Sequence, residues 1–146
     1  MNAKPVVVGV DGGPDSIRAL EWAAEYARDV KAPLIALTAY EATPIAGPYA
    51  MAGWENPDTL ENNARTMLAD VVRDTLGENA DVSQYVLRGH PAEAIVAASK
   101  DARLIVVGSR GRGGFKGLLL GSVSQYVVPH AQCPVVVLPH EEASEG

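Results

Sequence analysis

Five glycines fall within the run Gly108-Ser109-Arg110-Gly111-Arg112-Gly113-Gly114-Phe115-Lys116-Gly117. That density costs backbone entropy on folding and is expected where a chain turns sharply or lets a ligand approach its backbone. Arg110, Arg112 and Lys116 lie within the same run, a local positive charge on a chain whose formal net charge is −6. Gly121-Ser122 then open a helical segment, where unpaired N–H groups and the positive dipole end favour an anion by about 0.3–1 kcal/mol. Amides, a hydroxyl and cations in this order make a cradle for phosphate groups. A second turn, Asp11-Gly12-Gly13, follows an apolar run near the start and adds a carboxylate. Neither turn has the Lys-Ser/Thr pair of a Walker loop or the Gly-x-Gly-x-x-Gly of a dinucleotide site.

Catalytic machinery is not evident. His90, His130 and His140 are scattered, no nucleophile has a neighbouring base, and no carboxylate is evidently aimed at an attacking water. Cys133 is a lone cysteine, expected in the core, and no Cys/His grouping has zinc-ligand spacing. No catalytic or metal-ligating residue is assigned, and any hydrolysis is expected to be slow.

The elements that must position these turns alternate as βαβαβαβαβ, the pattern of a parallel sheet covered by helices on both faces. The spacing predicts strands at Val6–Val10, Leu34–Ala39, Val82–Leu87, Leu104–Val107 and Pro134–Pro139. Helices are predicted from Asp15 to Val30, with Asp15 or Ser16 near the cap, and from Asp58 to about Leu76, stopped by Gly77. A third runs from Pro91 to about Lys100, burying Ile95, Val96 and Ala98 or Ala97, and a fourth from Ser122 to about Val128, ended by Pro129. Both glycine turns therefore follow strand carboxyl ends, where open parallel sheets bind ligands near the point of strand-order reversal. The last strand, with proline at each end, suits a sheet edge. Tyr40 to Pro57 is a long segment without periodicity, of the kind that is usually functional or mobile.

The length of 146 residues suits one domain. We expect it over residues 1–140, with 141–146 as a disordered acidic tail. The 18 acidic against 12 basic residues argue against nucleic acid or an anionic membrane as partner. The short apolar stretch after Met1 is too brief for a signal peptide or a membrane span, so a cytoplasmic location is expected.

Gly108, two residues, Gly111, nine residues, then Gly121-Ser122 resembles the ATP-binding signature G-x2-G-x9-G-[ST] of the universal stress proteins. Val8-Gly9-Val10-Asp11-Gly12, Ser16 with Ala19-Leu20, Ser122-Val123-Ser124 and Cys133-Pro134-Val135-Val136-Val137 extend the likeness across the chain. The expected fold is a Rossmann-like α/β domain, an open five-stranded parallel sheet of order 3-2-1-4-5. The resemblance implies that Asp11 contacts ribose or adenine and that Ala39 offers backbone groups to the adenine. Val107 and Gly108 would then lie beside the ribose. Arg110, Gly111, Gly121, Ser122, Val123 and Ser124 would surround the triphosphate and any magnesium. It also implies a homodimer through the fifth strand and a regulatory, stress-response role for bound ATP. The long loop from Tyr40 to Pro57, beside the site, is expected either to order on binding, with Met51 and Trp54 covering the adenine, or to leave those two side chains packed on the neighbouring helix. Gly13 stands where that family frequently has serine, and Pro129 shortens the last helix. Asp11-Gly12-Gly13-Pro14-Asp15-Ser16 is also similar to the Ser-Gly-Gly-x-Asp-Ser loop of the ATP pyrophosphatases, but Asp11 would set a negative charge where phosphate should sit. Two other readings are a nucleotide-free interaction module of the same fold and a slow ATP-consuming enzyme.

Overall fold

The computed structural model describes residues 3–41, 57–110 and 121–140. Gly111, Arg112, Lys116, Met51, Trp54 and the segment 141–146 lie outside the described residues. The elements are β1 (Val6–Gly9), α1 (Pro14–Val30), β2 (Leu34–Tyr40), α2 (Pro57–Leu76), β3 (Ser83–Arg88), α3 (Pro91–Ser99), β4 (Leu104–Gly108), α4 (Ser122–His130) and β5 (Val135–Leu138). The strands form one parallel sheet in the order β3-β2-β1-β4-β5. This is the α/β architecture that the alternating pattern predicts.

Successive residues of a strand face opposite sides of the sheet, and the central strands are apolar on both. Val6 and Val8 of β1, with Leu104 and Val106 of β4, pack against Ala19, Leu20, Ala23 and Ala27 of α1 and Leu68 and Val72 of α2. Val7, Ile105 and Val107 face the other way, onto Ala92 and Ile95 of α3 and Val127 of α4. Two helices thus cover each face. Tyr40, at the end of β2, donates its hydroxyl to Glu61 Oε1 at 3.1 Å and ties that strand end to α2. Desolvation, and then this carboxylate, raises the Tyr40 phenol above its ordinary pKa.

Three local expectations are corrected. The cap of α1 is Gly13, with Pro14 in the first helical position, so Asp15 and Ser16 lie inside the first turn. Proline suits that position because its missing N–H would be unpaired there. The apolar stripe of α3 is rotated from the expected one: Ala92, Ile95 and Ser99 are buried, Val96 and Ala98 half-buried and Ala97 exposed. The Ser99 hydroxyl earns its buried place by accepting the Gln132 N–H at 2.9 Å and donating to the Val96 carbonyl. Lastly, α4 continues through Pro129 to His130. Proline forfeits one helical bond, but in a last turn that matters less than mid-helix; Ala131 N–H still closes on the Val127 carbonyl at 2.9 Å, and Val127 is fully buried.

Ile105 in β4 is fully buried at the centre of the face covered by α3 and α4. Ile105→Ala should lower the unfolding free energy by about 2–5 kcal/mol, read from the shift of a urea transition at unchanged slope.

Candidate functional site

A cavity of about 350 Å³ opens beyond the carboxyl ends of the strands, within the size range of small-molecule sites. Gly9, Val10 and Asp11 wall it from the end of β1, and Leu37, Thr38 and Ala39 from β2. Val107, Gly108 and Arg110 enter from β4, Ser122, Val123 and Ser124 from the first turn of α4, and Pro91 and Ile95 from α3. Of the residues that the sequence assigns to a ligand, Asp11, Ala39, Val107, Gly108, Arg110, Ser122, Val123 and Ser124 therefore share one cavity. Gly111 lies outside the described residues.

Gly121 is not among the lining residues. It is the cap of α4, buried, and its N–H donates to the Ser109 carbonyl. The amide that the glycine signature suggests for an anion is thus already committed. Intrahelical bonding in α4 begins with Gln125 N–H on the Gly121 carbonyl at 2.9 Å, so the amides of Ser122, Val123 and Ser124 have no helical acceptor. These three residues line the cavity. The Ser124 hydroxyl is turned to the backbone, bonded to the carbonyls of Ser109 at 2.9 Å and Gly121 at 3.1 Å, and only Ser122 keeps its side chain exposed.

Asp11 serves the turn as well as the cavity wall. Its Oδ1 accepts the Gly13 N–H at 2.8 Å, while its own N–H donates to Ser16 Oγ at 3.2 Å, which in turn donates to the Gly13 carbonyl at 3.0 Å. Gly12 makes this turn at φ +87°, a conformation that side chains disfavour. The turn delivers α1 against the end of β4, where a Cβ added at Gly108 would stand 2.7 Å from Asp15 Cβ and 2.9 Å from its backbone carbon. Gly108 is thereby required by the packing of α1, whatever occupies the cavity.

Two contacts give no sequence signal of their kind. His90, exposed just before α3, caps that helix by accepting the Ala92 N–H on Nδ1 at 3.1 Å. His140, 125 positions from Asp15, bonds that carboxylate at 3.0 Å. Cys133 is half-buried, and desolvation raises its thiol above the ordinary value, which disfavours the reactive thiolate. Among the described residues no helix is long and apolar enough to cross a membrane.

A doubly covered parallel sheet with a cleft at the strand-order reversal, lined by glycine, the first turn of α4 and an arginine, is the architecture of the open α/β proteins, whose ligands sit at that reversal. The model of the universal stress protein family matches residues 2–139. The chain belongs to that family. It is 39% identical over 147 residues to universal stress protein Rv1996 of Mycobacterium tuberculosis, a match covering 95% of this chain and 45% of that relative. The chain thus spans about half the length of that relative. Among solved structures it resembles a universal stress protein in complex with cAMP, at 28% identity and TM-score 0.59, covering 94% of this chain and 98% of the other. It also resembles the Archaeoglobus fulgidus universal stress protein in complex with dAMP, at 25% identity and TM-score 0.64, with the same coverage.

Gly108→Ala should force the first turn of α1 away from β4 and lower the unfolding free energy by about 1–3 kcal/mol, measured by urea denaturation without any ligand. An unchanged transition midpoint would mean that Gly108 is not held by packing.

Proposed function

We propose that the cleft binds ATP and that the chain is a regulatory, stress-response protein whose conformation or partner affinity follows nucleotide occupancy, with little or no hydrolysis. The observation that carries this reading is the division of one cavity into two chemistries. Val10, Leu37, Ala39, Ile95 and Val107 give it apolar walls, while the first turn of α4 and Arg110 give it an anion-binding end. An adenylate has the same division, a flat base and a charged tail. The relatives solved with cAMP and dAMP support an adenine nucleotide as the ligand class.

In this reading Ala39 offers its backbone to the adenine, Asp11 reaches the ribose or base, and Val107 and Gly108 flank the ribose. Arg110, Ser122, Val123 and Ser124 meet the phosphates, with Gly111 and the buried Gly121 shaping the turn between them. Magnesium fits such a site because it keeps several waters and needs few protein ligands beyond phosphate oxygens. The Ser122 hydroxyl is the exposed serine oxygen on that wall. Phosphoryl transfer would further need a positioned nucleophile, and none is assigned. A cytoplasmic, homodimeric state paired through the edge strand β5 completes the proposal.

Calorimetry with ATP, AMP, cAMP and adenosine tests the ligand class. A micromolar dissociation constant corresponds to about −8.2 kcal/mol, and ATP at 100 times that constant should add about 2.7 kcal/mol to stability, a plain thermal shift. Absence of heat and of any shift with all four ligands rejects the reading, and steady phosphate release would replace it with the ATPase.

Ser122→Pro tests the role of the helix tip. Gly121 has φ −75° and ψ 172°, a conformation that a following proline accepts, and proline is at home in a first helical position. The variant should fold normally yet bind ATP roughly 10–100-fold more weakly, since it lacks one amide donor and one hydroxyl toward a charged ligand. Wild-type affinity in this variant would move the phosphates elsewhere.

A further inference from the structure

Asp15 is a carboxylate only 4% exposed, and it is not among the residues that line the cavity. Burial of a charge is costly unless hydrogen bonds and counter-charges compensate it, so its partners indicate what it is for. Oδ2 accepts the backbone N–H of Arg110 at 3.3 Å and the hydroxyl of Ser109 at 3.4 Å. The same carboxylate meets His140 Nδ1 at 3.0 and 3.1 Å, and the Arg18 guanidinium lies 3.8 Å from Oδ1. Arg18 also donates to the Pro139 carbonyl at 2.7 Å. One side chain in the first turn of α1 therefore gathers the exit of β4 and the exit of β5.

Ser109 shows how much depends on that gathering. Its N–H donates to the Leu138 carbonyl at 2.8 Å, its hydroxyl to Asp15, and its carbonyl accepts both the Gly121 N–H and the Ser124 hydroxyl. Both ends of the glycine-rich segment, residue 110 and residue 121, are thus set by Ser109, and Asp15 holds the peptide that joins Ser109 to Arg110. Among the described residues, Arg110 is the cation that lines the cavity. The direction in which its side chain leaves the backbone follows from the orientation of that peptide.

We propose that Asp15 is a positioning residue for the phosphate end of the cleft: by fixing the Ser109–Arg110 peptide it sets where the Arg110 cation meets the ligand, and through His140 it ties the segment after β5 to the same point. The proposal rests on the nucleotide reading and concerns one end of the ligand only. A carboxylate this close to a polyanion would repel it if left bare. Hydrogen bonds from Ser109, Arg110 and His140, with the Arg18 guanidinium 3.8 Å away, compensate that charge.

The test compares ATP with adenosine, which lacks the phosphates. In Asp15→Ala, ATP affinity should fall at least about tenfold while adenosine affinity stays within about twofold. In an Arg110→Ala background, which keeps the backbone N–H but removes the cation, the additional loss on Asp15→Ala should nearly vanish. Equal losses for ATP and adenosine, or an undiminished loss in the Arg110→Ala background, would make Asp15 a purely structural residue and overturn the proposal; so would wild-type ATP affinity. Should Asp15→Ala fail to fold, Asp15→Glu keeps the charge and displaces it by one methylene, and the same ATP-selective loss is expected; its absence overturns the proposal. Wild-type protein that binds neither ligand rejects the nucleotide reading itself, and Asp15 then has no phosphate end to position.

Discussion

The parallel pairing of β1 with β4 is the contact on which the rest of the molecule depends. From β1 the chain moves to one side of the sheet, through α1 to β2, and from β4 it moves to the other, through α4 to β5. Crossovers between parallel strands share one hand, so two that travel in opposite directions must cover opposite faces. The buried clusters agree: α1 packs with α2 on one face, α3 with α4 on the other. Because the two connections part company at the carboxyl ends of β1 and β4, no helix among the described residues bridges the gap there. The cavity is a consequence of topology before it is a consequence of any side chain.

What makes that gap useful is how its rim is fastened. Ser109 closes the exit of β4 onto Leu138, and its carbonyl takes the cap of α4. The first turn of α4 is thereby presented to the cavity with the amides of Ser122, Val123 and Ser124 lacking helical acceptors. On the proposed function, those amides and the Arg110 cation act where the overall charge of −6 is unfavourable to a polyanion. Locality decides: at physiological ionic strength the Debye length is about 8 Å, so charges scattered over the remaining surface are screened and the groups at the rim are not.

The sheet was legible in the sequence because β-branched runs such as Val6-Val7-Val8 and Ile105-Val106-Val107 have few other ways to be buried. The candidate site was legible for a related reason, since glycines and a helix start at fixed spacing mark where backbone must come close to something. The misread features depend on neighbours that local pattern does not contain. Asp15 looks like a cap by residue type, yet Gly13-Pro14 starts the helix and the carboxylate turns to Ser109 and His140. Pro129 looks like a stop, yet Val127 holds the last turn in the core. The stripe of α3 was misplaced because Ser99 is buried by a partner, Gln132, in another part of the chain. Met51 and Trp54, between which the sequence offered a lid or simple packing, lie outside the described residues.

A glycine signature therefore records more than one constraint. Gly108 stands against Asp15 with no room for a Cβ, a requirement of α1 packing that any sequence with this turn must meet, with or without a ligand. Gly121 has an extended backbone that other residues adopt, and its amide serves Ser109 instead of the cavity. Neither glycine, taken alone, distinguishes a nucleotide-binding chain from one that has kept the fold and lost the ligand. On the proposed function the discriminating groups are those that line the cleft: Ser122, exposed in the first turn of α4, and Arg110, whose backbone N–H Asp15 holds in place. If the cleft holds a nucleotide as proposed, substitution at these positions removes binding while leaving the framework intact, and it is there that a change of function within this fold would first be written.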